Sequence, residues 1–94
     1  MGSILLKSVA IICKEITEEN AAILHAERSK PEIEGDSGWQ FTCGKKEENF
    51  ESGKVWSIQE VINYDSSIKE FIELPIGTII SRPEYNKKWK VSNK

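Results

Sequence analysis

Residues 35–38, Gly-Asp-Ser-Gly, come nearest to a catalytic motif in this chain. A serine between glycines can act as a nucleophile, because the unhindered backbone beside it can form an oxyanion hole. Such a serine needs a base and a carboxylate that orients the base, and the only histidine, His25, has no identifiable carboxylate partner. We therefore predict no catalytic residues. A small hydrolase or ligand-binding domain that uses Asp36 and Ser37 with His25 is kept as an alternative.

Metal chemistry is not predicted either. Zinc sites draw on cysteines and histidines at short spacings, whereas Cys13 and Cys43 lie 30 positions apart. Glu32, Glu34 and Asp36 alternate as ligands of a hard cation could, but they lack the Asp, Asn and Gly pattern of a calcium loop. The glycines of the motif precede a strand rather than a helix, so they do not form a phosphate loop. No metal and no cofactor are expected.

Charge is distributed unevenly along the 94 residues, whose formal net charge is −2. Residues 1–81 carry 8 basic and 14 acidic groups, while residues 82–94 carry 5 basic and 1 acidic. An acidic surface steers association with a basic partner, and toxins that act on nucleic acids are often basic. The predicted acidic partner surface consists of Glu32, Glu34, Glu47, Glu48 and Glu51.

The basic tail offers a second alternative, an accessory protein that binds nucleic acid. Its cations are interleaved with aromatic residues: Arg82, Tyr85, Lys87, Lys88, Trp89 and Lys90. So short a run is more typical of an edge strand whose lysines prevent aggregation. Nucleic acid is therefore not the expected partner, and the oligomeric state is left open.

Nothing in the sequence predicts export or membrane insertion. The apolar run 4–6 is too short for a signal peptide and is interrupted by Lys7, and no segment is long enough to span a bilayer. Two cysteines in apolar runs are expected to be buried thiols of a cytoplasmic, bacterial protein. Residues 1–7 and 93–94 are predicted to be tails that flank one domain over residues 8–92.

Hydrophobic periodicity predicts three strands in the first half of the chain. Residues 8–13 are β-branched and almost continuously apolar, which is typical of a central strand covered on both faces. Residues 14–20 predict one helical turn that ends at Asn20. A second strand is predicted over residues 21–28, and a third where Trp39 and Phe41 alternate with polar residues.

Two short helices are predicted in the second half. Ser57 and Glu60 have capping-box spacing and begin the first helix, and the second repeats the design with Asp65 or Ser66 as its N-cap. Residues 45–54 are charged and predict an exposed loop.

Two further strands complete the predicted domain. Residues 78–81 form one of them, and residues 88–92 form a closing edge strand. This order predicts an α+β fold, a mostly antiparallel sheet of about five strands with two or three short helices on one side.

The sequence resembles a small bacterial family of unknown function that carries an Asp-Ser-Gly-Trp-x-Phe motif and is grouped with predicted immunity proteins of polymorphic toxin systems. The resemblance covers roughly residues 8–91 and rests on these residues: Arg28, Pro31, Asp36-Ser37-Gly38-Trp39, Phe41, Gly44, Val55-Trp56-Ser57, Asp65, Ser67-Ile68 and Leu74-Pro75-Ile76-Gly77. It implies an α+β domain that is not an enzyme and that binds and neutralises a toxin. It supplies no catalytic residues.

The motif residues are the predicted binding site of this protein: Asp36, Ser37, Gly38, Trp39 and Phe41. We expect them to fix the central turn and strand and to present part of the binding edge. The expected function is non-catalytic binding of another protein, of the immunity type.

Overall fold

The structure, a computed structural model, describes residues 7–31, 35–43 and 54–93. Its centre is a mixed six-stranded sheet with the strand order β4-β1-β3-β2-β5-β6. The strands are β1 (Val9–Ile12), β2 (His25–Arg28), β3 (Asp36–Thr42), β4 (Lys54–Ser57), β5 (Thr78–Ser81) and β6 (Lys90–Asn93).

Strand pairing is antiparallel everywhere except between β1 and β3, which run parallel. The predicted α+β class with a mostly antiparallel sheet is therefore confirmed. The sheet has one strand more than predicted, because β4 occupies part of the segment read as a loop and a helix start. This four-residue strand pairs only with β1, at the edge of the sheet, so its own sequence carries little strand signal.

The described residues include two α-helices, α1 (Lys14–Glu19) and α2 (Ile58–Tyr64). Helix α1 ends at Asn20 in the left-handed conformation, as predicted. Helix α2 begins with the predicted capping box. Ser57 Oγ accepts a hydrogen bond from the Glu60 amide at 3.1 Å, and Glu60 Oε1 accepts one from the Ser57 amide at 2.9 Å.

The predicted second helix of this half is only a 3-10 turn, Ser66–Ile68, followed by turns. Asp65 Oδ1 accepts hydrogen bonds from both the amide and the hydroxyl of Ser67. The serine hydroxyl is thereby held against Asp65 and does not cap a following helical turn. Ile68 and Ile72 are nevertheless buried, so the predicted inward face is kept without the helix.

The helices pack against one face of the sheet. Its buried side chains share one core with those of the helices and the 3-10 region: Ala10, Ile12, Ala26, Trp39, Phe41, Ile80, Ile16, Ile58, Val61, Ile62, Ile68 and Ile72. Strand β1 lies inside the sheet between β4 and β3, and its side chains alternate between buried and half-buried, so one face is covered more completely than the other.

The opposite face of the sheet is called the open face here. Side chains alternate across a sheet, and strand register aligns one row of residues on this face. In the order of the strands, the open-face row is Val55, Ile11, Gln40, Glu27, Ile79 and Ser92. Within residues 7–31, 35–43 and 54–93 the helices contribute their buried side chains to the other face only.

Candidate functional site

The motif at the start of β3 is built from two overlapping side-chain turns. Asp36 Oδ1 accepts a hydrogen bond from the Gly38 amide at 2.8 Å, and Ser37 Oγ accepts one from the Trp39 amide at 3.1 Å. Gly38 has φ +85°, and a Cβ at this position would lie 2.0 Å from the carbonyl oxygen of Ser29. Only glycine fits there, because both the conformation and the close approach exclude a side chain.

The turn produces an irregularity in the pairing of β1 with β3. Val9 is opposite Asp36, yet Ile11 is opposite Gln40, so β3 uses more residues than β1 over the same length. The Ser29 amide donates to the Gly38 carbonyl at 2.8 Å, which keeps the extra residues attached to β2. A bulge of this kind redirects the side chains beside it.

Two motif-linked side chains reach across the core to the segment that follows the 3-10 turn. Trp39 Nε1 donates to the Ile72 carbonyl at 2.9 Å. Arg28, on β2, donates from Nε to the Ser37 carbonyl at 3.0 Å and from one terminal nitrogen to the Leu74 carbonyl at 2.8 Å. These bonds tie the turn to residues more than thirty positions away in the sequence.

Burial separates the motif into inner and outer residues. Ser37, Trp39 and Phe41 are 2 %, 1 % and 0 % exposed, so they have almost no surface to offer a partner. Asp36 is only half-buried, and with Gly38 it lines a cavity of about 100 Å³. The remaining residues around this cavity are Ile11, Ser29, Lys30, Trp39 and Gln40. Two of them belong to the open-face row, so the cavity lies at the edge of the open face.

His25 does not meet Ser37. The register of β2 places His25 opposite Thr42 of β3, five residues beyond Ser37. Five residues of extended chain span about 17 Å, far beyond hydrogen-bond distance. The Ser37 hydroxyl is buried and accepts a bond from the backbone. The serine and histidine pairing that a hydrolase would need is therefore not formed.

A buried ion pair that sequence reasoning missed joins Asp65 and Arg82. Arg82 also donates from Nε to the Ile23 carbonyl at 3.1 Å, and its guanidinium lies 4.1 Å from the centre of the Trp89 ring. Trp89 Nε1 in turn donates to Ser67 Oγ at 2.9 Å. A polar pocket of about 340 Å³ borders this cluster.

This cluster changes the reading of the basic tail. Arg82 is only 7 % exposed, and its guanidinium is bonded to Asp65 and to the Ile23 carbonyl inside the protein. The Trp89 ring packs against the ring of Phe71, with the ring centres 6.4 Å apart. Among the described cations of the tail, Lys87, Lys88 and Lys90 are exposed. Strand β6 forms the predicted edge of the sheet. The ring of Trp89 is therefore not free to stack on a base, while the exposed ring of Tyr85 has its centre 5.3 Å from the Arg82 guanidinium.

The two cysteines, which the sequence separates, are neighbours in space. The sulfur atoms of Cys13 and Cys43 and a carboxylate oxygen of Glu15 all lie within 4.8 Å of one another. Both thiols are buried, and Glu15 is half-buried. No local pattern signals this cluster, because Cys43 lies 30 positions beyond Cys13 in the sequence.

The predicted acidic partner surface cannot be placed. Its members, Glu32, Glu34, Glu47, Glu48 and Glu51, lie outside the described residues. No helix in the described part of the chain is long and apolar enough to cross a membrane.

Comparison with known proteins supplies the family. Residues 10–92 match the family model described as "Immunity protein Imm33 domain". The chain belongs to the Imm33 immunity protein family. The match extends from β1 to β6, so the motif turn, the Asp65–Arg82 cluster and the open face all lie within the Imm33 domain. No curated protein and no solved structure shows significant similarity to the chain.

Proposed function

We propose that this Imm33 protein neutralises a protein toxin in the cytoplasm by binding it stoichiometrically, without catalysis. The family match supports an immunity role. The burial of Ser37 and its separation from His25 support binding rather than hydrolysis.

The open face is the binding surface in this proposal, and its composition is the observation that carries it. The row combines apolar side chains, among them Val55 at 63 % exposure, with the amide of Gln40 and the carboxylate of Glu27. In the order of the strands the two polar side chains lie between apolar ones, and protein interfaces combine apolar contact area with direct hydrogen bonds. The cavity beside Asp36 and Gly38 gives a partner side chain a place to anchor at the edge of this face.

Charge indicates the kind of toxin. Glu27 and Asp36 are two of the 14 acidic groups that outnumber the 8 basic groups in residues 1–81. A basic toxin surface would be attracted to this region, and its association would slow as salt is raised. The acidic residues of the predicted partner surface remain part of this proposal on the strength of the sequence alone: Glu32, Glu34, Glu47, Glu48 and Glu51.

The experiment uses a pair of matched substitutions. The tagged chain is used to capture its partner from the native host, and the captured protein is expressed alone and together with this chain to test growth arrest and rescue. Gln40→Arg places a long cation on the open face, whereas Gln59→Arg makes the same change on the exposed surface of α2.

We expect Gln40→Arg to weaken binding about 30-fold or more, the size of an interface hot spot, and to abolish rescue. Gln59→Arg should bind the toxin and rescue growth like the wild type. Both variants should have the melting temperature of the wild type. Loss of binding in Gln59→Arg with normal binding in Gln40→Arg would move the interface to the helical side. A captured protein that is not toxic on its own would contradict the neutralising role.

A further inference from the structure

The parallel pairing of β1 and β3 brings two cysteines together at the carboxyl ends of these two inner strands. Ile12 and Phe41 are opposite each other, and both strands run in the same direction. Cys13 follows β1 directly and Cys43 follows β3 directly, so both thiols emerge where the two strands end.

A third donor comes from helix α1. Cys13 is the residue at which this helix begins, and Glu15 lies in its first turn. The helix therefore carries the Glu15 carboxylate back towards the two thiols, and all three donor atoms lie within 4.8 Å of one another. In a tetrahedral zinc site with its usual bond lengths, neighbouring donors lie about 3.4–3.8 Å apart. Small side-chain rotations would bring the present donors to that spacing.

We propose that Cys13, Glu15 and Cys43 form a binding site for one zinc ion, independent of the proposed toxin-binding face. Binding releases the protons of both thiols, and the two thiolates and the carboxylate together place three negative charges around Zn²⁺. A water molecule takes the fourth position, because three protein donors come together here among the residues that the structure describes. The partial exposure of Glu15 gives the ion a route from solvent.

The donor set favours zinc over harder cations. Thiolates select soft or borderline metals, whereas magnesium and calcium prefer sites built only from oxygen. Two thiols at this separation could also be oxidised to a disulfide, but a disulfide would make no use of Glu15. The contribution of Glu15 therefore distinguishes a metal site from a simple pair of redox-active cysteines.

The test is a titration of the full-length chain with Co²⁺, after reduction and removal of metal by a chelator. A site with two thiolates should bind one Co²⁺ per chain, with a thiolate-to-metal charge-transfer band in the near ultraviolet and the intense visible bands of tetrahedral cobalt. Zn²⁺ should displace Co²⁺ and bleach both bands. Zn²⁺ should also raise the melting temperature of the chain.

Three variants make the assignment specific. Cys43→Ala should abolish the charge-transfer band and the thermal shift. Glu15→Gln should retain the charge-transfer band but bind at least about 10-fold more weakly, since one charged ligand is lost. Glu18→Gln removes an exposed carboxylate from the same helix and should titrate like the wild type. Circular dichroism of each variant before titration shows whether it is folded.

Several results would overturn the site. One is the absence of a charge-transfer band in the reduced wild type. Another is a weak, octahedral cobalt spectrum, which would mean that only surface carboxylates bind. A third is equal affinity in folded Glu15→Gln and wild type, which would remove Glu15 from the site.

Discussion

The indole nitrogen of Trp39 donates a hydrogen bond to the main-chain carbonyl of Ile72, 2.9 Å away and 33 residues further along the chain. The same carbonyl accepts a second bond from Arg28 at 3.3 Å. Two side chains from neighbouring strands thus donate hydrogen bonds to a carbonyl that lies in a turn and not in a regular helix. The most prominent aromatic residue of the motif therefore connects parts of the core instead of facing a partner.

Truncation of Trp39 should lower the free energy of unfolding and should not remove a direct contact with a partner. We expect Trp39→Ala to reduce the free energy of unfolding by about 3–5 kcal/mol, because the side chain is buried and stacks on Phe41. Trp39→Phe keeps most of the packing and loses the bond to Ile72, at a cost of about 1–3 kcal/mol. Urea denaturation measures both. A Trp39→Ala variant that unfolds like the wild type but no longer binds its toxin would make Trp39 an interface residue.

Gly38 and Gly35 form a matched pair for testing the turn. Both have positive φ, +85° and +88°, so alanine at either position should cost about 1–2 kcal/mol in backbone strain. An added Cβ at Gly38 would also collide with the Ser29 carbonyl, which adds about 1–3 kcal/mol, whereas at Gly35 it meets no described atom within 4 Å. The melting temperature of Gly38→Ala should therefore be well below that of Gly35→Ala. Equal melting temperatures would show that β2 and β3 are less tightly joined than the structure indicates.

The Asp65–Arg82 pair should behave as one unit. Arg82→Met leaves a buried carboxylate without its cation and should cost about 3–5 kcal/mol. In the double variant Arg82→Met/Asp65→Asn the loss should be smaller than the sum of the single losses, by about 1–3 kcal/mol. Chemical denaturation of all four proteins gives this coupling. Lys88→Met, at an exposed lysine, serves as the control and should be nearly neutral. Strict additivity would mean that the two charges do not stabilise each other.

Tyr64 should make the fold sensitive to alkali. Burial, with a smaller contribution from the charge of Asp65, raises the pKa of the Tyr64 hydroxyl above its ordinary value of 10.0. The hydroxyl also donates to the Ala21 carbonyl at 2.7 Å, which requires the neutral form. The folded state therefore holds this proton more tightly than the unfolded state does. Its contribution to stability is complete below the unfolded pKa and is lost as the pH rises through the folded pKa.

Tyr64→Phe tests this linkage. The variant should be about 1 kcal/mol less stable at neutral pH, because the bond to Ala21 is lost. Its stability should then fall less steeply than that of the wild type as the pH rises above about 10. Tyr85→Phe, at an exposed tyrosine, is the matched control. Parallel curves for wild type and Tyr64→Phe would rule out the proposed role of this hydroxyl.

Local interactions account for what the sequence predicted correctly. The capping box of Ser57 and Glu60 and the left-handed Asn20 at the end of α1 involve residues within one or two turns of each other. The fold class likewise follows from the order of apolar periods along the chain. Contacts of this kind are encoded in neighbouring residues, so a sequence pattern is enough to identify them.

Long-range contacts account for what the sequence did not reveal. Strand β4 forms because β1 offers it an edge, and the 3-10 turn replaces a helix because Asp65 engages both Ser67 and Arg82. Cys13 and Cys43 meet because β1 and β3 lie side by side in parallel, although 23 residues separate the two strands.

The sequence by itself thus determined the class of fold, the turn of the motif and the resemblance to immunity proteins. Only the tertiary structure decided which motif side chains are buried, which face of the sheet is open and where the thiols and the buried ion pair come together. The physical reason is that burial, and the pairing of groups distant in sequence, depend on strand order and register, which no local pattern specifies.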